Sequence, residues 1–392
     1  MKDTNNASMR IGRLAGFPLD MHWSVLVIAS LLTWSLATVS LPHSAPGHAS
    51  MTYWLAGAAT AVVFFGSLLA HELSHALIAR RAGLEVRSVT LWLFGGVASL
   101  GGDPPTPAAD LRVAAAGPAA SLALAAGFAL AAAGLDATGS AHLAVSALWW
   151  LAGVNLVLGL FNLLPGAPLD GGRVLRALLW RHHGDRQRAA LTATRAGRFI
   201  GGALIAFGVL QFLYGADAGG LWLGFIGWFI LGAARGEESE VLAGRALRGL
   251  CVGDVMTPMP VTAPGWVTVE EFVENYLLGG RHSAFPVVAA DGTVTGLVTL
   301  ARLRTVPPAD RATTLVGAAA IPRSAVPTAT PAEPLLALRA RLGEATGGRG
   351  LVFQGDRLVG IVTPADLVRA MERTDLQDPA GKSRQLGGII HA

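Results

Sequence analysis

Residues 54–79 read WLAGAATAVVFFGSLLAHELSHALIA, an apolar run that carries His71, Glu72 and His75 close to its end. About 20 apolar residues suffice for a helix to cross the hydrocarbon core of a bilayer. Ionisable groups inside such a helix are expensive and functional by default. Positions four apart share a helical face, so the imidazoles of His71 and His75 can grip one metal ion. Glu72 stands about 100° round from His71, near such an ion yet free to act as a base. The bland alternative is that the three side chains are simply buried and hydrogen-bonded. It requires three costly groups within residues 71–75 of an otherwise apolar helix.

The rest of the chain fits a membrane setting. Of its 392 residues 52% are hydrophobic and 14% charged, against about 25% charged in soluble domains. This balance excludes disordered, collagen-like and disulfide-built classes. The single cysteine, Cys251, excludes an intramolecular disulfide and any metal site built on cysteines. Further apolar runs lie at about 21–41, 111–134, 143–164, 198–214 and 218–234, so six transmembrane helices are predicted. Lys and Arg cluster before residue 14, at 80–87, at 173–195 and beyond 235, whereas 42–53, 135–142 and 215–217 contain none. The positive-inside rule then places both termini in the cytoplasm, with residues 1–20 as a cytoplasmic tail. Usage rich in Ala and Arg and poor in Lys points to a GC-rich bacterium, hence to a multi-pass protein of the bacterial plasma membrane. The basic loops lack interleaved aromatics, so nucleic acid is not an expected partner.

A catalytic zinc takes three protein ligands and keeps one position open. Asp170 is the leading third ligand, in the run FNLLPGAPLDGGR (161–173), whose prolines and glycines break the helix where a cavity needs lining. On spacing alone an ordinary aspartate at a helix end is the alternative. Asp103 and Asp110 read as loop residues and compete poorly. Asn155 and Asn162 are candidates for hydrogen bonds to a substrate or developing oxyanion, or for tying helices together. The stretch LWLFGGVASLGG (91–102) reads as a small β-hairpin or re-entrant loop at the membrane edge. There Gly95 and Gly96 can meet an unwound substrate added as a strand. A plain cytosolic turn is the alternative.

After residue 235 charge returns. A linker at 236–249 leads to an internal repeat, 250–308 and 309–372, and then to a flexible tail at 373–392. The first copy carries FPVV (285–288) and GLVT (296–299), the second LVF (351–353) and GIVT (360–363), each with a hairpin-type turn between.

HELSH in an apolar helix, followed about 95 residues later by NLLPGAPLDGGR, resembles the site-2 proteases, intramembrane zinc metalloproteases. Ala116-Gly117-Pro118 and Phe94-Gly95-Gly96 are similar to further features of that family. The resemblance covers roughly residues 10–235. It implies one zinc per chain on His71, His75 and Asp170, with Glu72 as general base passing a proton from water to the leaving amine. It also implies a membrane-anchored protein substrate, such as an anti-sigma factor, cut in regulated intramembrane proteolysis. The repeat resembles a CBS domain pair, opening at GDVMTP (253–258). In that family a G-h-h-[ST]-x-x-D ending holds an adenine nucleotide, which implies Thr363 and Asp366 in the second copy. The first copy has Arg302 in place of that aspartate. The pair can also serve for homodimerisation without a ligand. The expected architecture is therefore a polytopic α-helical membrane protein with a cytosolic α/β CBS pair. Two other classes stand beside the protease. A CBS-gated transporter or channel leaves HELSH unexplained, and a zinc-binding membrane sensor lacks catalysis.

Overall fold

The computed structural model describes residues 8–92, 95–139, 142–215, 218–277 and 282–377. The chain divides into two compact units, Met1–Val241 and Leu242–Ala392.

The first unit begins with strands β1 (Ser8–Leu14) and β2 (Phe17–His22). Helices α1 (Ser24–Ser44) and α2 (Ser50–Arg81) follow, then strands β3 (Val86–Trp92) and β4 (Gly95–Leu100). Next come α3 (Pro107–Asp136), α4 (His142–Asn162), the shorter α5 (Asp170–His183), α6 (Arg186–Gly215) and α7 (Ala218–Ala246). Among the described residues five helices, α1 to α4 and α6, are long and apolar enough to cross a membrane.

They match five of the six predicted spans. The run at 218–234 does form a helix, but α7 continues through Arg235, Glu237, Glu238 and Glu240, and its apolar part is short and rich in glycine. Those glycines set its packing. A Cβ at Gly227 would meet the Gly201 carbonyl oxygen at 2.6 Å, and one at Gly220 the Gly208 carbonyl oxygen at 2.5 Å. Only glycine lets α6 and α7 approach backbone to backbone. The predicted linker is helical as well, since α7 runs on to Ala246.

The N-terminus departs from the expected tail. Residues 8–22 are paired strands, not a tail, and α1 starts at Ser24 instead of Met21. The sheet has the order β1-β2-β3-β4. Ala15 (φ 52°) and Gly16 (φ 88°) make a left-handed two-residue turn, the kind whose twist suits a tight hairpin. Strand β2 then runs parallel to β3, with Leu19 opposite Val89 and Met21 opposite Leu91, and β4 returns antiparallel to β3. Phe17, Ala76 and Val89 form a buried cluster with Leu69, Leu73 and Leu77, which fastens the sheet to α2. Strands β3 and β4 are therefore the outer antiparallel pair of a four-stranded sheet.

In the second unit each repeat contributes a strand to the other's sheet. Thr257–Pro258 pairs with Arg357–Val362, and Ile321–Pro322 pairs with Val294–Thr299. Leu297, Leu351, Phe353 and Ile361 share one buried cluster, so the two copies have a joint core. Leu247, just past α7, is buried in the second copy's own cluster with Leu335, Val352 and Val362. Of the predicted tail, residues 373–377 belong to the helix Pro364–Gln377, while 378–392 lie outside the described residues.

Candidate metal centre

Helix α2 presents His71 and His75 on one buried face, and the break after α4 returns the chain so that Asp170, the first residue of α5, meets them. Asp170 Oδ2 lies 3.2 Å from His71 Nε2 and 3.1 Å from His75 Nε2, and the two nitrogens are 3.3 Å apart. Among the described residues these three form the one group able to hold a metal ion.

Helix α3 is the wall of the site although it supplies no ligand. His75 Nδ1 is 2.7 Å from the Val113 carbonyl, and His71 Nδ1 is 2.9 Å from Ser121 Oγ. Gly117 lies midway on the same helical face. A Cβ there would stand 2.2 Å from His75 Nε2 and 2.6 Å from His71 Nε2. Glycine at this position is what allows α3 to close on the imidazoles.

The hydrogen bonds decide what the triangle can contain. A carbonyl only accepts, so His75 Nδ1 must donate to Val113, and in the neutral ring this leaves a bare lone pair at Nε2. That lone pair faces the Asp170 carboxylate oxygen. Acceptors gathered in this way repel unless a proton or a cation joins them. A tetrahedral zinc with bonds of about 2.0–2.1 Å separates its ligands by about 3.3 Å, which the three observed distances match. Two imidazoles and a carboxylate with no sulfur form a hard to borderline donor set that suits zinc.

Glu72 is buried beside this triangle, against β4. A Cβ added to Gly96 would fall 2.2 Å from Glu72 Cγ and 3.0 Å from Glu72 Oε1. Gly95, at φ 134°, adopts a backbone that L side chains rarely take. Phe94 lies outside the described residues. The turn before Asp170 is held from α6: Ala167 N–H donates to the Ala193 carbonyl at 3.0 Å, and a Cβ on Gly197 would stand 1.8 Å from the Ala167 oxygen. After β4, Asp103 pairs with Arg186 at 2.5 Å, and this guanidinium holds the Asp103 carboxyl below the usual carboxylate range.

Asn155 and Asn162 stand apart from the triangle's hydrogen bonds. Asn155 is fully buried and donates to the Leu151 carbonyl of its own helix; Asn162, half-buried, donates to that of Leu158. In the second unit Asp366 is buried and takes four hydrogen bonds, from Thr257 Oγ1, Arg369 Nη2, the Thr363 N–H and Thr363 Oγ1. Arg302, its counterpart in the first copy, donates to the Ala319 carbonyl at 3.3 Å.

The Val113 carbonyl has no side-chain signature, so reading the sequence could not find it. Ser121 carried a weak signal, a polar residue one turn beyond Gly117. Asp110, read as a loop residue, proves to be in the first turn of α3 and wholly buried.

Comparison with known proteins adds independent findings. Residues 59–138 and 135–205 match the model of peptidase family M50, and 252–308 and 318–373 match the CBS domain. A Mycobacterium tuberculosis protein whose assigned name is zinc metalloprotease Rip3 is 54% identical over 370 residues, 94% of each chain. A Synechocystis protein also named as a zinc metalloprotease is 34% identical over 310 residues, 78% of this chain and 79% of its own. A solved site-2 protease from Methanocaldococcus jannaschii aligns with 59% of this chain and 95% of its own, at 24% identity and a TM-score of 0.39.

Proposed function

The chain belongs to peptidase family M50, the site-2 protease family, with a CBS pair after the peptidase region, and we propose that it is an intramembrane zinc endopeptidase. Its substrates are membrane-anchored proteins, anti-sigma factors among them, cut in or near their transmembrane segments. The observation that carries this reading is the convergence of His71 Nε2, His75 Nε2 and Asp170 Oδ2 beside Glu72, in a unit built of helices of membrane length.

Zinc held by His71, His75 and Asp170 would supply a Lewis acid that acidifies water and polarises the scissile carbonyl. Glu72 takes the proton from water and delivers it to the departing amine. Gly96 leaves room for that carboxylate, since any side chain there would collide with it. Val113 and Ser121 hold the two rings with Nε2 turned inward. A transmembrane helix has every peptide group bonded internally and must unwind to be cut. Strand β4 is an edge of its sheet and offers unpaired backbone to an unwound segment as a further strand.

In the proposed topology the apolar part of α7 is a sixth crossing, and both termini face the cytoplasm of a bacterial plasma membrane. Helix α2 ends at Arg80 and Arg81, about 9 Å beyond His75 at 1.5 Å per residue. Water therefore reaches the centre from the cytoplasmic face. The CBS pair is the regulatory and dimerising element. An adenine nucleotide contacting Thr363 and Asp366 would have to displace Thr257 or Arg369 from the carboxylate.

Purified chain with a model transmembrane substrate tests the reading. Glu72→Gln is expected to keep stoichiometric zinc and lose cleavage, and His71→Ala to lose both. Undiminished cleavage by Glu72→Gln, or a wild type free of zinc, would overturn it.

A further inference from the structure

We propose that Asp110, acting through Arg176, is the positioning residue that holds the Asp170 carboxylate against the two imidazoles. This inference rests on the metal-centre reading above and adds a residue to it that does not touch the metal.

Asp110 is completely buried in the first turn of α3. Its two oxygens accept a fork from Arg176, Nε to Oδ2 at 2.9 Å and Nη2 to Oδ1 at 2.9 Å, and Arg173 Nη2 lies 3.5 Å from Oδ1. Both arginines are on α5, the helix that Asp170 begins. One carboxylate thus holds the ligand-bearing helix by two guanidiniums. Three residues further along α3 is Val113, whose carbonyl fixes His75, and beyond it Ser121 faces His71. A single helix therefore references all three donors to one rigid frame, the histidines by hydrogen bonds and the aspartate by an ion pair.

The fork fixes rotation as well as distance, because two parallel N–H···O bonds define a plane. That matters here. The segment before Asp170 is a turn tied to α6 by the Ala167–Ala193 backbone bond and the contact with Gly197, and the fork adds a tie to α3. Net stability is a poor explanation for the pair, since buried ion pairs return little beyond their desolvation cost. Glu237 of α7 and Asp103 also face the arginines, but Asp110 is the acid that accepts the Arg176 fork.

Zinc affinity of the full-length chain in detergent, measured by competition with a chromophoric chelator, tests the proposal. Asp110→Asn is expected to raise Kd about 10–100-fold, the range for losing a group behind a metal ligand. Arg176→Lys keeps the charge without the fork and is expected to give a smaller rise. Glu238→Gln, in the half-exposed pair with Arg198, is expected to leave Kd unchanged. Thermal unfolding of the zinc-free chain separates positioning from mere structure. A lower Tm with wild-type Kd in folded Asp110→Asn or Arg176→Lys would overturn the proposal. If Asp110→Asn does not fold, Arg176→Lys decides. A wild type that takes up no zinc would overturn the metal-centre reading and this role with it, a result distinct from equal affinities across the variants.

Discussion

Asp170, half-buried, and Asp366, buried, both stand in the first turn of a helix, one in each unit, and their neighbours differ in kind. Asp366 accepts from two hydroxyls, a backbone N–H and a guanidinium, four donors for the four lone-pair positions of a carboxylate. Asp170 faces two imidazole nitrogens, and His75 has already committed its proton to Val113. A carboxylate whose acceptor capacity is filled from within holds its own fold together. One set against two imidazole nitrogens fits a shared cation. The motif around each aspartate marks it as important, and only the partners tell what it is for.

Substitutions can break this contrast, and the largest effect is expected at the imidazoles. His71→Ala is expected to abolish both bound zinc and cleavage, read by elemental analysis and by a transmembrane-substrate assay; retained zinc would mean that the donors lie elsewhere. Glu72→Gln is expected to lower cleavage by about 10²–10⁴-fold, the usual worth of a general base, while zinc stays bound. Gly96→Ala drives a methyl into Glu72. A displacement near 1 Å costs about 100-fold in rate, so kcat is expected to fall by about that factor with the metal content unchanged. The smallest effect belongs to the satisfied carboxylate. Asp366→Ala is expected to destabilise the C-terminal unit by about 1–3 kcal/mol, the cost of stranding buried donors, with zinc affinity at the wild-type value. A loss of zinc in that variant would erase the distinction between the two aspartates.

The centre was legible because hydrocarbon is an unforgiving background. His71, Glu72 and His75 in an apolar helix are conspicuous on chemical grounds alone, whereas Asp170 in a broken one was singled out firmly only by the family resemblance. What stayed hidden depends on backbone or on company. Arg10, Arg13 and Asp20 made residues 8–22 resemble a charged tail, yet β2 gains its strand pairing from β3, some 70 residues later. Asp110 follows Pro104, Pro105 and Pro107 and so reads as loop, but proline suits the first helical position, and Thr106 caps the helix through the Ala109 N–H at 3.2 Å. The run at 218–234 reads as a span, and the contact of its glycines with α6 could not be read from it. The four bonds at Asp366 come partly from Thr257 in the other repeat, a pairing that no local pattern announces.

X-ray absorption at the zinc edge of the purified full-length chain tests the central claim most directly. The account predicts one zinc with two imidazoles and oxygen neighbours at about 2.0–2.1 Å, and an altered shell in Asp170→Asn. A sulfur shell near 2.3 Å, or a spectrum unchanged in His71→Ala, would contradict it.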